Sequence, residues 1–113
     1  MIANLQDSEI FVFGSNLEGQ HAGGAAKQAL DSFGAIWGIG VGIQGQCYAI
    51  PTMPPLGLIE IQQYIKQFIN YASITPAKTY LVTAIGQGIA GYSPEEMKII
   101  WNKYSLPTNI KFV

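Results

Sequence analysis

The 113-residue chain contains few charged side chains. They make up 12% of the residues, against roughly 25% in an average soluble domain, while 49% of the residues are hydrophobic. The formal net charge is −1, which argues against the dense basic surface that binding to nucleic acid requires. A nucleotide ligand is not excluded, because backbone amides can bind phosphate without charged side chains.

Cysteine, histidine and long apolar runs are also scarce. Cys47 is the only cysteine, so an internal disulfide is excluded. With one His and one Cys the chain cannot build a zinc site, and neither a metal nor a cofactor is expected. No apolar stretch reaches the ~20 residues of a membrane helix, and residues 1–10 lack the features of a signal peptide. These absences predict a cytoplasmic protein without membrane contacts; they specify no oligomeric state.

Short hydrophobic runs alternate with helical patterns, which predicts an α/β fold with a mostly parallel, mixed sheet of about four to five strands flanked by helices. The length predicts a single domain, residues 1–113. Glycines in residues 34–46 favour a loop or a distorted sheet edge there, and regular strand is possible for part of the segment. The predicted strands are residues 10–13, 47–50, 79–84 and 109–113, and the predicted helices are residues 22–33, 58–72 and 94–104.

Two glycine-rich loops, each between a predicted strand and a predicted helix, are the strongest functional signal. The first contains FGSN (13–16) and HAGGAA (21–26), and the second is IGQGIAGY (85–92). Such loops leave backbone N–H groups free at a helix N-terminus, where the helix dipole favours an anion. We therefore expect the two loops to form two walls of a single phosphate-binding cleft at one edge of the sheet.

In the first loop, the Asn16 amide can hydrogen-bond a sugar hydroxyl, although the same side chain is suited to capping its own turn. Gly23 and Gly24 leave room for a diphosphate to reach the backbone, although tight helix–sheet packing selects the same residue types. The candidate binding residues of this loop are Gly14, Ser15, Asn16, Gly23, Gly24 and Ala25.

The second loop permits a tight curve with inward-facing N–H groups, and Tyr92 can stack on a ring or close the cleft. A glycine-rich turn without a ligand is the alternative. Residues that follow the second predicted strand are expected at the same sheet edge. The candidate binding residues in these segments are Pro51, Thr52, Gly86, Gln87, Gly88, Ile89, Ala90, Gly91 and Tyr92.

Asn16, Glu18 and His21 are the candidate catalytic residues. Glu18 and His21 are three positions apart and suit an acid–base couple. A lone histidine near a helix start is more often a structural hydrogen bonder or exposed. Cys47 lies in a short predicted strand, which favours buried packing over nucleophilic chemistry.

Both loops and the strand order resemble the macrodomain family, which binds ADP-ribose. FGSN and HAGGAA stand where that family has an Asn-bearing loop that leads into a glycine-rich helix start, and residues 86–91 (GQGIAG) match its second phosphate loop. The run YLVTAIGQGIAG is similar to the branch that hydrolyses ADP-ribosyl esters and ADP-ribose phosphate. The first half also resembles a small set of bacterial and phage proteins with the pattern FGSN…GxHxxGAA…GQxYAIPT.

The resemblance implies a compact three-layer domain that binds ADP-ribose or a related NAD-derived nucleotide. Backbone N–H groups of both loops would hold the phosphates, and Asn16 would hold the distal ribose. If the protein is an enzyme, the resemblance implies a hydrolase of an ADP-ribosyl or ADP-ribose-phosphate bond, with Asn16 positioning water. Two other functions are open: a nucleotide sensor or sequestering module without catalysis, and an interaction protein without a nucleotide ligand.

Overall fold

The computed structural model describes residues 2–113, which form five β-strands and three α-helices. The α/β class is therefore confirmed. No helix within these residues has the length and hydropathy needed to cross a bilayer. In chain order the elements are β1 (Glu9–Ser15), α1 (Gly24–Ser32), β2 (Gly42–Gln44), β3 (Cys47–Pro51), α2 (Leu58–Ser73), β4 (Thr79–Val82), α3 (Pro94–Trp101) and β5 (Ile110–Phe112).

The strands form one mixed sheet in the order β2–β3–β1–β4–β5. β1 pairs in parallel with β3 and β4, and β4 pairs in parallel with β5. Only β2 is antiparallel, to β3, and it comes from the glycine-rich segment predicted to be a loop or a distorted edge. β1 is central and covered on both faces, which explains why Phe11, Val12 and Phe13 form a continuous apolar run.

α1 covers one face of the sheet. Its side chains Ala26 and Ala29, with Phe33 just beyond its end, pack against Phe11 and Phe13 of β1. The two alanines are small, so the helix backbone can approach the sheet closely. This layer therefore brings the start of α1 next to the carboxyl end of β1.

α2 and α3 cover the opposite face. The predicted apolar stripe of α2 is buried there, and Phe68 is the centre of an aromatic group. Its ring centroid lies 5.0 Å from that of Tyr48, 5.4 Å from that of Tyr80 and 6.1 Å from that of Trp101. The domain therefore has three layers, with a hydrophobic core on each side of the sheet.

The observed ends of α1 and α3 agree only in part with the ends that the sequence predicts. At the start of α3, Ser93 Oγ accepts the Glu96 N–H and the Glu96 carboxylate accepts the Ser93 N–H, which is the capping box that the sequence predicts. The end of α3 is Trp101 rather than Tyr104, because Lys103 and Tyr104 donate to carbonyls three residues back and tighten the chain into turns. α1 begins at Gly24, two residues after the predicted start.

Replacement of Phe68 by Ala should destabilise the domain by about 3–5 kcal/mol, because it leaves a cavity among three aromatic rings. Urea unfolding followed by circular dichroism measures this change. Ile59→Ala on the same helix is the control, since that residue is 74% exposed and its loss should cost under about 1 kcal/mol. Equal losses in the two variants would contradict this account of the core.

Candidate functional site

After the neighbouring strands β1 and β4, the chain crosses to opposite faces of the sheet and continues towards opposite sides of it. The connection through α1 lies on one face and leads towards β3, whereas the connection through α3 lies on the other face and leads to β5. In open α/β sheets, ligands bind where the connections diverge in this way, outside the carboxyl ends of the strands. The two glycine-rich loops are the segments that leave β1 and β4 at this point, so they lie at the same sheet edge.

Both loops line one cleft of about 380 Å³, a volume typical of small-molecule sites. The sequence prediction that the loops meet is therefore confirmed. Residues that the prediction did not include, such as Gln20, Met53 and Thr83, complete the lining. The cleft is lined by Gly14, Ser15, Asn16, Gln20, Ala22, Gly23, Gly24, Ala25, Ala26, Thr52, Met53, Thr83, Ala84, Ile85, Gly86, Gly88, Ile89 and Ala90.

The structure places four of the predicted binding residues outside this lining. Pro51 is buried as the last residue of β3. Gln87 borders a separate pocket beside α3, and Tyr92 packs against the core beneath α2 and α3. Gly91 donates its N–H to Gly88 O at 3.0 Å, so that N–H is not free to hold a phosphate as the sequence suggests.

Backbone N–H groups supply donors from both walls of the cleft. The N-cap of α1 is Gly23, which has no side chain to accept a hydrogen bond from the first turn. The N–H groups of residues 24–26 therefore donate to no acceptor within residues 2–113. On the other wall, the N–H groups of residues 88–90 also have no acceptor among the described residues. Both rows of donors stay available to an anion.

The cleft is electrically neutral apart from these dipoles. None of the described residues that line it carries an ionisable side chain. Its apolar surface includes Ile89, whose side chain is 85% exposed and free to contact a ligand. The lining therefore offers hydrogen-bond donors and apolar contacts, but no side chain that gains or loses a proton near neutral pH.

Asn16 lines the cleft, but its amide also holds its own turn together. Oδ1 accepts the Gln20 N–H at 2.8 Å, and Nδ2 donates to Gln20 O at 3.0 Å. The capping role, left open by the sequence, is therefore present. Each end of the amide retains one further hydrogen-bonding position, so the contact with a ribose stays a prediction.

Glu18 and His21 lie outside the cleft lining and do not form an acid–base couple there. Glu18 is exposed on the turn after β1. His21 is fully buried, with its ring edge-on to Phe13, and its Nε2 donates to Ile39 O at 3.0 Å. Nδ1 has no partner in the described part of the chain. His21 is therefore a structural hydrogen-bonding residue, which the sequence analysis gives as the alternative to a catalytic role.

A segment that the sequence did not connect with the site braces the first loop. Ser15 Oγ donates to Gly40 O, and Gly38 N–H donates to Gly19 O at 2.9 Å. The bond from His21 to Ile39 is the third link between the two segments. Residues 38–40 thus fix the loop that carries Asn16, and the Ser15 hydroxyl is engaged there, although Ser15 still borders the cleft.

Cys47 is a packing residue, as the sequence favours. It is fully buried under α1, and burial raises the pKa of its thiol to about 12, so the reactive thiolate is scarce at neutral pH. Within residues 2–113, no group of three or more His, Cys, Asp and Glu side chains is placed to hold a metal ion.

Comparison of the chain with protein-family models, with curated proteins and with solved structures found no match. The function of the cleft is therefore inferred from its own geometry.

Asn16→Ala should lower the free energy of unfolding by about 1–2 kcal/mol, because the variant loses both hydrogen bonds to Gln20. Asn16→Asp keeps an acceptor for the Gln20 N–H, so its free energy of unfolding should fall by less. Thermal unfolding of the original protein and the two variants measures the order of their stabilities. An Asn16→Ala variant as stable as the original protein would contradict the capping role.

Proposed function

We propose that the protein binds ADP-ribose or a related NAD-derived nucleotide in the cleft, as a compact domain of macrodomain type. The observation that carries this proposal is the two rows of acceptor-free N–H groups, at residues 24–26 and 88–90, that line one cleft at the divergence of β1 and β4. A diphosphate presents several acceptor oxygens close together, which suits donors that converge from two walls.

The lack of charged side chains in the cleft indicates which kind of phosphate group suits it best. A helix N-terminus contributes a partial charge of about +0.5, and none of the described lining residues adds a full positive charge. A terminal phosphate carries about −1.5 to −2 at pH 7 and gains most from Lys or Arg. The internal diphosphate of ADP-ribose carries one charge on each phosphate, so neutral dipoles are better matched to it.

Binding without turnover is the version of this function that the lining supports. General acid–base catalysis needs a titratable side chain within hydrogen-bond reach of the reacting group. None of the described lining residues provides one, and Glu18 and His21 lie elsewhere. We therefore propose a nucleotide sensor or sequestering module rather than a hydrolase.

Titration calorimetry with ADP-ribose, NAD, ADP and AMP tests the proposal. ADP-ribose should bind with one site per chain, and ADP should bind at least about tenfold more weakly, because of its terminal phosphate. The affinity for ADP-ribose should be constant between about pH 6 and 9, since no lining side chain titrates there. Chromatography of the same mixtures should show ADP-ribose unchanged. Failure of both ADP-ribose and NAD to bind would refute the proposal.

Gly88→Val should weaken ADP-ribose binding by about tenfold or more, because the branched side chain enters the cleft beside the free N–H groups. It should leave stability within about 0.5 kcal/mol, since Gly88 has no positive φ and a Cβ there meets nothing within 4 Å.

Gly86→Ala is a comparison for stability alone, because Gly86 also lines the cleft. Gly86 has φ +75, and its Cβ would lie 2.7 Å from Met97 Sδ, so this variant should lose about 1–2 kcal/mol of stability. Thermal unfolding of both variants and calorimetry of Gly88→Val separate a loss of stability from a loss of binding. Unchanged affinity in folded Gly88→Val protein would remove this loop from the site.

A further inference from the structure

Gly14 leaves a small space at the floor of the cleft, at the carboxyl end of β1. A Cβ built on this residue would lie 3.4 Å from Thr52 Oγ1, 3.6 Å from Gly86 N and 3.7 Å from Ile85 Cα. The φ of Gly14 is not positive, so the backbone conformation does not itself require glycine. The absence of a side chain at Gly14 instead leaves a space, which is bordered by the Thr52 hydroxyl and the Gly86 amide.

Thr52 contributes a hydroxyl that reaches the cleft and has no protein partner. The residue is only 3% exposed and lines the cleft, yet its Oγ1 makes no hydrogen bond among the described residues. The neighbouring hydroxyls are satisfied: Thr83 Oγ1 donates to Val12 O at 2.8 Å, and Ser15 Oγ donates to Gly40 O. The Thr52 oxygen is not among the enclosed side-chain atoms that lack a partner, so it keeps access to the cleft. The hydroxyl is therefore available to a group that is not part of the chain.

Gly86 contributes a buried N–H that is also without an acceptor in residues 2–113. The position of this amide is fixed, because Gly86 O accepts the Tyr92 N–H at 2.9 Å and closes the loop. A backbone N–H only donates, so the group that completes the pair must be an acceptor. An oxygen atom in the space is not tied to the Cβ position and can settle at hydrogen-bond distance from both groups.

We propose that Gly14, Thr52 and Gly86 form a subsite for one acceptor oxygen of the ligand, namely a non-bridging phosphate oxygen. The identification as phosphate rests on the proposed function, because the same cleft carries the two rows of N–H donors. Gly14 keeps the subsite open, and Thr52 and Gly86 donate to the oxygen. The subsite would hold one phosphate at the floor of the cleft, between β1, β3 and β4.

Three variants test the subsite with ADP-ribose in titration calorimetry. Gly14→Ala fills the space with a methyl group and should weaken binding by about tenfold or more, with little change in melting temperature, because its Cβ contacts are at ordinary van der Waals distances. Thr52→Val removes only the hydroxyl and should weaken binding by about 10- to 100-fold, as for a hydrogen bond to a charged group. Thr52→Ser keeps the hydroxyl, so its affinity for ADP-ribose should stay within about threefold of that of the original protein.

Thr79→Val is the matched control, because it makes the same chemical change at the amino end of β4, at the opposite sheet edge. Its affinity should equal that of the original protein. Unchanged affinity in folded Gly14→Ala and Thr52→Val would overturn the subsite; this is the result expected if only a structural water lies in the space.

A second measurement separates the subsite from the proposed function. In amide NMR spectra, the Gly86 signal should shift on addition of inorganic pyrophosphate and of ADP-ribose, and the pyrophosphate shift should be lost in Gly14→Ala. A Gly86 shift with pyrophosphate alone would support the subsite and reject ADP-ribose as the ligand. Binding of ADP-ribose with shifts confined to residues 23–26 would support the function and overturn the subsite, as would a Gly86 signal that neither compound moves.

Discussion

The parallel pairing of β1 with β4 is the constraint on which the site depends. Two adjacent parallel strands need crossover connections, and here the connections pass over opposite faces of the sheet. The segments that leave the two strands must therefore separate, and the space between them is the cleft. Because the backbone itself forms much of this surface, small residues and glycines predominate where the chain leaves β1 and β4.

The sequence was sufficient to predict most of the helices and strands because the relevant signals are local. The apolar run that became β1, the stripe of α2 and the Ser93–Glu96 capping box each identify an element from neighbouring residues alone. The edge strand β2 was less well defined, since its glycines weaken any strand pattern and its pairing with β3 is set across a turn. Exact helix ends also depended on turns that propensity does not distinguish.

The roles of individual site residues were harder to predict, because they depend on partners distant in sequence. Ser15 Oγ donates to Gly40 O, 25 residues further on, so the hydroxyl of this candidate binding residue is engaged within the protein. His21 is tied to Ile39 in the same way, so an apparent acid–base candidate is a structural donor. Thr52 is the converse case, since only the fold reveals that its hydroxyl reaches the cleft without a protein partner.

The neutrality of the cleft has a consequence for its behaviour in salt. A protein that holds an anion with Lys or Arg depends on charges that dissolved ions screen over about 10 Å at 0.1 M ionic strength. The described lining of this cleft has no such charges, and its N–H groups act through hydrogen bonds at contact distance together with the helix dipole. Salt screens the dipole too, but the dipole is a partial charge that acts only near the first turn of the helix. Binding of an anion there should therefore weaken less steeply with added salt than binding at a site built from Lys or Arg.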